Sequence, residues 1–130
     1  MGEKVNKTQK TILIIDDQRE VHLLLKTLLE HEGFRVCSAL DPAQGGVLAR
    51  QTQPDMVILD ITMPAGGGYV AYERLRRTSN FATLPILLYT GVPREQVEEN
   101  IVRTAATLLL SKPAQPGHIL SAVHSLLDPC

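Results

Sequence analysis

The stretch DMVILDITMP, residues 55–64, decides how this chain is read. Met56–Leu59 is a short, continuous apolar run, the pattern of a strand buried on both faces. It stops on a bare carboxylate, Asp60, and then turns at Met63-Pro64. Burying charge is costly, so an acid at the mouth of a core asks for a chemical reason.

Working outward, the same kind of run recurs. TILII (Thr11–Ile15) is continuous and β-branched, FRVCSA alternates in period two, and PILLYT and TLLLS complete the candidate strands. Helical patterns lie between them. VHLLLKTLLEHEGF places Val21, Leu24, Leu25, Leu28 and Leu29 at helical spacing and stops at Gly33. Asp41-Pro42 is an N-cap followed by proline at the first helical position, opening a helix that ends near Gln51. A glycine-rich loop leads into YVAYERLRR, whose basic last turn suits the helix dipole. REQVEENIVRTAA and GHILSAVHSLL are the remaining helices, the last with Ile119, Val123 and Leu126 on one face. Strands alternating with helices through short, right-handed crossovers imply an α/β domain whose parallel sheet is covered on both sides.

Composition bounds the function. The chain has 130 residues, 44% of them hydrophobic, which fits one domain with its own core. A net charge of −1 offers no basic excess for nucleic acid or for an anionic membrane. Cys37 and Cys130 have neither metal-ligand spacing nor the look of a disulfide framework, so a cytoplasmic setting is expected. MGEKVNKTQK lacks the apolar stretch of a signal peptide, and no apolar run approaches the length of a membrane span. Residues 1–10 are expected to form an extension, 11–127 the domain, and 128–130 a tail.

In such sheets function gathers at the carboxyl ends of the strands. Those ends carry Asp16-Asp17, Asp60, Thr90 and Ser111-Lys112. Taken singly, each has a plain explanation: Asp17 as a helix cap, Asp60 as an acid turned to water, Thr90 as a strand former, Lys112 as a solvated charge. Together they are harder to dismiss. Like charges within ~6 Å raise one another's pKa, and a bound cation removes that penalty. Oxygen-only ligands favour hard Mg²⁺.

Four motifs, the acidic pair in IIDDQ, LDITMP with Gly68 eight residues after the aspartate, YTG, and SKP, follow one another at the ends of the right strands. In that order they resemble the receiver domains of two-component response regulators, of the chemotaxis-receiver type, from about Lys10 to Leu127. The resemblance implies a flavodoxin-like, doubly wound, five-stranded parallel sheet of order 2-1-3-4-5 with five helices. It implies phosphotransfer from a histidine kinase or a histidine phosphotransfer protein to Asp60, with Mg²⁺ as cofactor. The catalytic set would be Asp60 as phosphoacceptor, Thr90 and Lys112. The metal would be held by Asp17 directly, Asp16 through water, Asp60 and the backbone carbonyl of Thr62. Such a domain catalyses its own phosphorylation and dephosphorylation without being a conventional enzyme. The Lys112-Pro113 bond is expected to be cis. The switching face, directed to an unidentified output partner or domain, would be residues 94–105, Thr107–Ser111 and residues 117–127.

The chain departs from that pattern in places. Leu109 stands where receivers carry an aromatic switch residue, three positions before the lysine, so the change is expected to travel through the Thr90–Val92 loop instead. Thr62 and Val92 occupy the positions that tune phosphate turnover; an apolar Val92 cannot orient water, and slow self-dephosphorylation is expected. Gly67 stands where an acid or amide is common. A pseudo-receiver that binds partners without phosphorylation is the alternative, which the intact acids, Thr90 and Lys112 argue against. A haloacid-dehalogenase-type phosphohydrolase would need an acid at Thr62. His22, His31, His118 and His124 match no ligand set, and three scattered tyrosines make no base-stacking surface.

Overall fold

A computed structural model describes residues 9–101, 104 and 106–128. The elements run β1 (Thr11–Ile15), α1 (Arg19–His31), β2 (Arg35–Ala39), α2 (Pro42–Thr52), β3 (Met56–Leu59), α3 (Gly67–Arg77), β4 (Ile86–Thr90), α4 (Arg94–Asn100), β5 (Thr107–Ser111) and α5 (Pro116–Leu127). Short 3₁₀ turns at Pro64–Gly66 and Ser79–Phe81 flank α3. All strand pairs are parallel, in the order β2-β1-β3-β4-β5, as the resemblance implied.

The sheet divides the core in two because successive residues of a strand face opposite ways. Leu13, Ile15, Val57, Leu59, Ile86 and Leu88 join Ala49 of α2, Ala71, Tyr72 and Leu75 of α3 and Val97 of α4. Ile12, Ile14, Met56, Ile58, Leu87 and Tyr89 join Leu25 and Leu29 of α1 and Ile119, Val123 and Leu126 of α5. Every residue of β3 is buried, so both faces of the Met56–Leu59 run are used. Each such side chain is worth about 1.5–3 kcal/mol when removed from water.

The helix ends follow their local chemistry. Asp41 accepts from the Gln44 amide at 2.8 Å, and the Gln44 side chain accepts from Leu40 N at 2.8 Å, a reciprocal cap at the start of α2. Gly33, with φ of 94°, takes the left-handed turn after α1 that a side chain would resist.

Two expectations shift. In α1 the inward stripe is His22, Leu25 and Leu29, whereas Leu24 is 51% exposed. The spacing of three and four residues centres the buried face on His22, leaving Val21 and Leu28 at its edges. The fourth helix ends at Asn100, with Ile101 in extended backbone, rather than running to residue 105; residues 102, 103 and 105 lie outside the described residues. Glu98 and Glu99 in its last turn oppose the dipole, and Val97 is its single buried anchor.

At the amino ends of β4 and β5, the Arg76 guanidinium of α3 donates to the Phe81, Leu84 and Ala106 carbonyls at 3.2, 2.7 and 3.4 Å and to Thr107 Oγ1 at 2.8 Å. It lies 5.3 Å from the centroid of the Tyr72 ring. No helix among the described residues is long and apolar enough to cross a membrane.

Candidate functional site

The winding of the sheet reverses between β1 and β3, the neighbouring parallel strands from which it is built outward both ways, and their carboxyl ends define the switch point. Asp16 and Asp17 follow β1, and Asp60 follows β3. The three carboxylates converge, with one oxygen from each lying within 4.8 Å of the others. Lys112, just after β5, reaches across the edge. Its ammonium donates to Asp16 Oδ2 at 2.8 Å, Asp60 Oδ2 at 3.0 Å and Gln18 Oε1 at 3.0 Å. The Lys112-Pro113 bond is cis, as expected.

The other Asp60 oxygen is held by Thr62, whose backbone amide donates to Oδ1 at 2.9 Å and whose hydroxyl donates to it at 2.7 Å. Since the Thr62 proton is directed at Asp60, the 3.4 Å contact between the Thr62 and Thr90 hydroxyls has Thr90 as donor. Thr90 in turn accepts from Val92 N at 3.3 Å. Thr90 thus belongs to the hydroxyl network around the acceptor.

Burial pushes the Asp60 carboxyl up, but the Thr62 hydroxyl and amide, then Thr90 and Lys112, outweigh it and hold the group below its ordinary value of 3.8. Burial likewise pushes Lys112 down, and the bonds and charges of Asp16 and Asp60 win, raising it above 10.5. The signs follow by linkage. Asp60 contributes stability that is full above 3.8 and lost as pH falls through its lowered value. Lys112 contributes stability that is full below 10.5 and lost as pH rises through its raised value.

Asp60 is not open to solvent. It is 2% exposed, because Lys112 and Thr62 lie over it. The expectation of an exposed acid at a strand end is corrected to an acid sealed by the Lys112 ammonium. Asp17 does not cap α1 either; the N-cap is Gln18, whose amide donates to Asp16 Oδ1 at 2.8 Å. Among the described residues the Asp17 carboxylate has no hydrogen-bond or ion-pair partner, and it is exposed. Three carboxylates against one ammonium leave an excess of two negative charges, a donor set of oxygens that fits a hard divalent ion.

Sequence reasoning missed Gln18 and the inward place of His22, and it assigned Thr62 a carbonyl ligand and a turnover-tuning position without its amide and hydroxyl bonds to Asp60. Gln18 carried no signal beyond its place after the acids. His22 did, as the polar member of an apolar helical stripe.

Asp17 is expected to be the ligand whose loss matters most to cation binding. Asp16 is already tied to Lys112 and Gln18, whereas Asp17 is free. In a magnesium titration Asp17→Asn should weaken affinity more than Asp16→Asn, and equal affinities would refute the assignment.

Known proteins resemble this chain in sequence and in fold. A family model described as response regulator receiver domain matches residues 12–124. The DNA-binding dual master transcriptional regulator RpaA of Synechocystis sp. is 35% identical over 116 residues, covering 89% of this chain and 48% of RpaA. Protein PilH of Pseudomonas aeruginosa is 31% identical over 116 residues, covering 89% of this chain and 96% of PilH. The response regulator GtcR of Aneurinibacillus migulanus is 33% identical over 118 residues, covering 91% of this chain and 48% of GtcR. The chain thus spans about half the length of RpaA and GtcR and nearly all of PilH. Among solved structures, a putative response regulator from Chloroflexus aurantiacus superposes with a TM-score of 0.80 at 27% identity, covering 92% of this chain and 98% of that one. The Vibrio cholerae chemotaxis protein CheY4 gives a TM-score of 0.85 at 24% identity over 92% of this chain and 100% of its own, which speaks to the fold.

Proposed function

The chain belongs to the family of response regulator receiver domains, and from that premise we propose that it takes a phosphoryl group from a phosphohistidine donor onto Asp60. The observation that carries the reading is the Asp60 carboxylate, held by Thr62 on one oxygen and by Lys112 on the other, beside the unpartnered Asp17. One Asp60 oxygen forms the bond to phosphorus while the donor P–N bond breaks and the imidazole leaves with the electron pair, then regains a proton. Asp16, Asp17, Asp60 and the Thr62 carbonyl would hold Mg²⁺, which supplies charge neutralisation for the acids and the phosphoryl oxygens. Lys112 releases Asp60 Oδ2 to admit the group and pairs with a phosphoryl oxygen instead. Thr90, one hydroxyl removed from Asp60, turns to donate to another.

The added charge, roughly −1.5 to −2, biases the face built from α4, β5 and α5. Leu109 is only 7% exposed before any phosphoryl group arrives, so it has little inward path to travel. Val92, whose amide is bonded to Thr90, and Arg94, whose guanidinium donates to the Leu109 carbonyl at 3.1 Å, give the alternative route into α4. On α1, Leu23 is 70% and Leu24 51% exposed, an apolar contact for a donor protein docking beside the acids. A donor phosphorylated from ATP would place the exchange in the cytoplasm.

The test is uptake from acetyl phosphate with and without magnesium. Stoichiometric, magnesium-dependent labelling is expected. A folded protein that takes up nothing would leave the pseudo-receiver, a module that binds partners unphosphorylated.

A further inference from the structure

His22 lies in the first turns of α1 and is 7% exposed. Its Nε2 is 2.6 Å from the backbone carbonyl of Asp16. A carbonyl only accepts, so Nε2 carries the proton. Nδ1 is then an acceptor, and it is buried with no partner. A buried nitrogen left without a partner is destabilising, so an apolar side chain of similar volume would serve the core at least as well. The stripe it shares with Leu25 and Leu29 gives no reason of its own for a histidine.

The carbonyl it holds does give a reason. That oxygen belongs to the peptide unit joining Asp16 to Asp17. Among the described residues no loop or cap amide donates to it, because β1 ends at Ile15. The rest of Asp16 is already fixed: its amide donates to the Ala39 carbonyl at 3.1 Å, Oδ1 accepts from Gln18 N, and Oδ2 accepts from Lys112. The direction of the 16–17 peptide is the remaining freedom. That direction sets where Asp17 departs from the sheet edge and whether its free carboxylate meets those of Asp16 and Asp60.

We propose that His22 is a positioning residue for the acid cluster: its Nε2–H fixes the Asp16–Asp17 peptide and thereby aims Asp17 at a divalent cation. The inference rests on reading the three acids as a cation site. Partners that orient a ligand set commonly carry about 10–100-fold of its affinity.

The experiment compares magnesium affinity in wild type, His22→Leu, His22→Met and His22→Gln, following folding by thermal melts without metal. Glutamine keeps an N–H at about the reach of Nε2, whereas leucine and methionine keep only volume. Leucine is expected to weaken magnesium binding about tenfold with the metal-free melting temperature unchanged or raised, and glutamine to stay within about threefold of wild type. The ¹⁵N shifts of the His22 ring should show the Nε2-protonated tautomer. Wild-type affinity in both apolar variants, an equal loss in the glutamine variant, an Nδ1-protonated ring, or failure of both apolar variants to fold would each overturn the proposal. A wild type that binds no magnesium at millimolar concentration overturns the cation site itself, and this inference with it.

Discussion

Asp60→Asn is expected to reduce magnesium-dependent labelling by acetyl phosphate to background while leaving the domain folded. The replacement keeps the shape of the side chain and an oxygen able to accept from Thr62, so the pocket is preserved. What disappears is the nucleophile. The other acids cannot stand in for it: Asp16 is tied to Lys112 and Gln18, and Asp17 is exposed at the rim. Undiminished labelling in this variant would move the acceptor elsewhere and undo the assignment. The wild-type reaction carries a further signature. Because Asp60 is held below 3.8, its protonation should limit uptake from a chemical donor only in strong acid, and activity should not fall between pH 7 and pH 5 through this group.

Gly68→Ala is expected to be the most damaging glycine-to-alanine change among the described residues. A Cβ there would collide with the Cα and carbonyl oxygen of Ile61 and lie 2.5 Å from the Asp60 carbonyl oxygen. These are backbone atoms, so no rotamer change relieves the contact. The first turn of α3 cannot back away cheaply, because Ala71, Tyr72 and Leu75 are seated in the core. Overpacking of this kind costs about 1–3 kcal/mol, and a loss of roughly 5–10 °C in melting temperature is expected. The strain would fall on the segment that presents Asp60 and Thr62, so labelling should slow even where the protein remains folded. Gly66→Ala is the control. Its φ of 71° disfavours a side chain, but nothing lies within 4 Å, so about 1 kcal/mol is expected. Equal melting temperatures for the two variants would refute the close-approach account.

The fold was legible because the strands announce themselves. Runs such as TILII and MVIL must be buried on both sides, and the residues after them must then share one edge. Asp16, Asp17, Asp60, Thr90 and Lys112 could be named on that ground, and the structure brings them together. Less legible were features that depend on rotation about an axis or on atoms far apart in sequence. A leucine-rich helix such as α1 offers several apolar stripes, and only packing against the sheet decides that His22 faces in and Leu24 out. The sealing of Asp60 comes from a lysine 52 residues away, and the grip of Gln18 on that lysine spans 94. The end of α4 was lost for another reason: its apolar residues permit a longer helix, and the acids that disfavour one act only weakly.

Arg76 binds the amino ends of β4 and β5, the ends farthest from Thr90 and Lys112. Two strands pinned at one end and loaded at the other behave as a cantilever. A disturbance at the Thr90–Lys112 tip is carried by parallel hydrogen bonds such as the Leu88–Leu109 and Thr90–Ser111 registers, and it finds a fixed root at Thr107. Displacement in such a beam is greatest at its free end and vanishes at the clamp. Such an anchorage would favour movement on the side where the acids lie and leave the far pole of the domain as a footing.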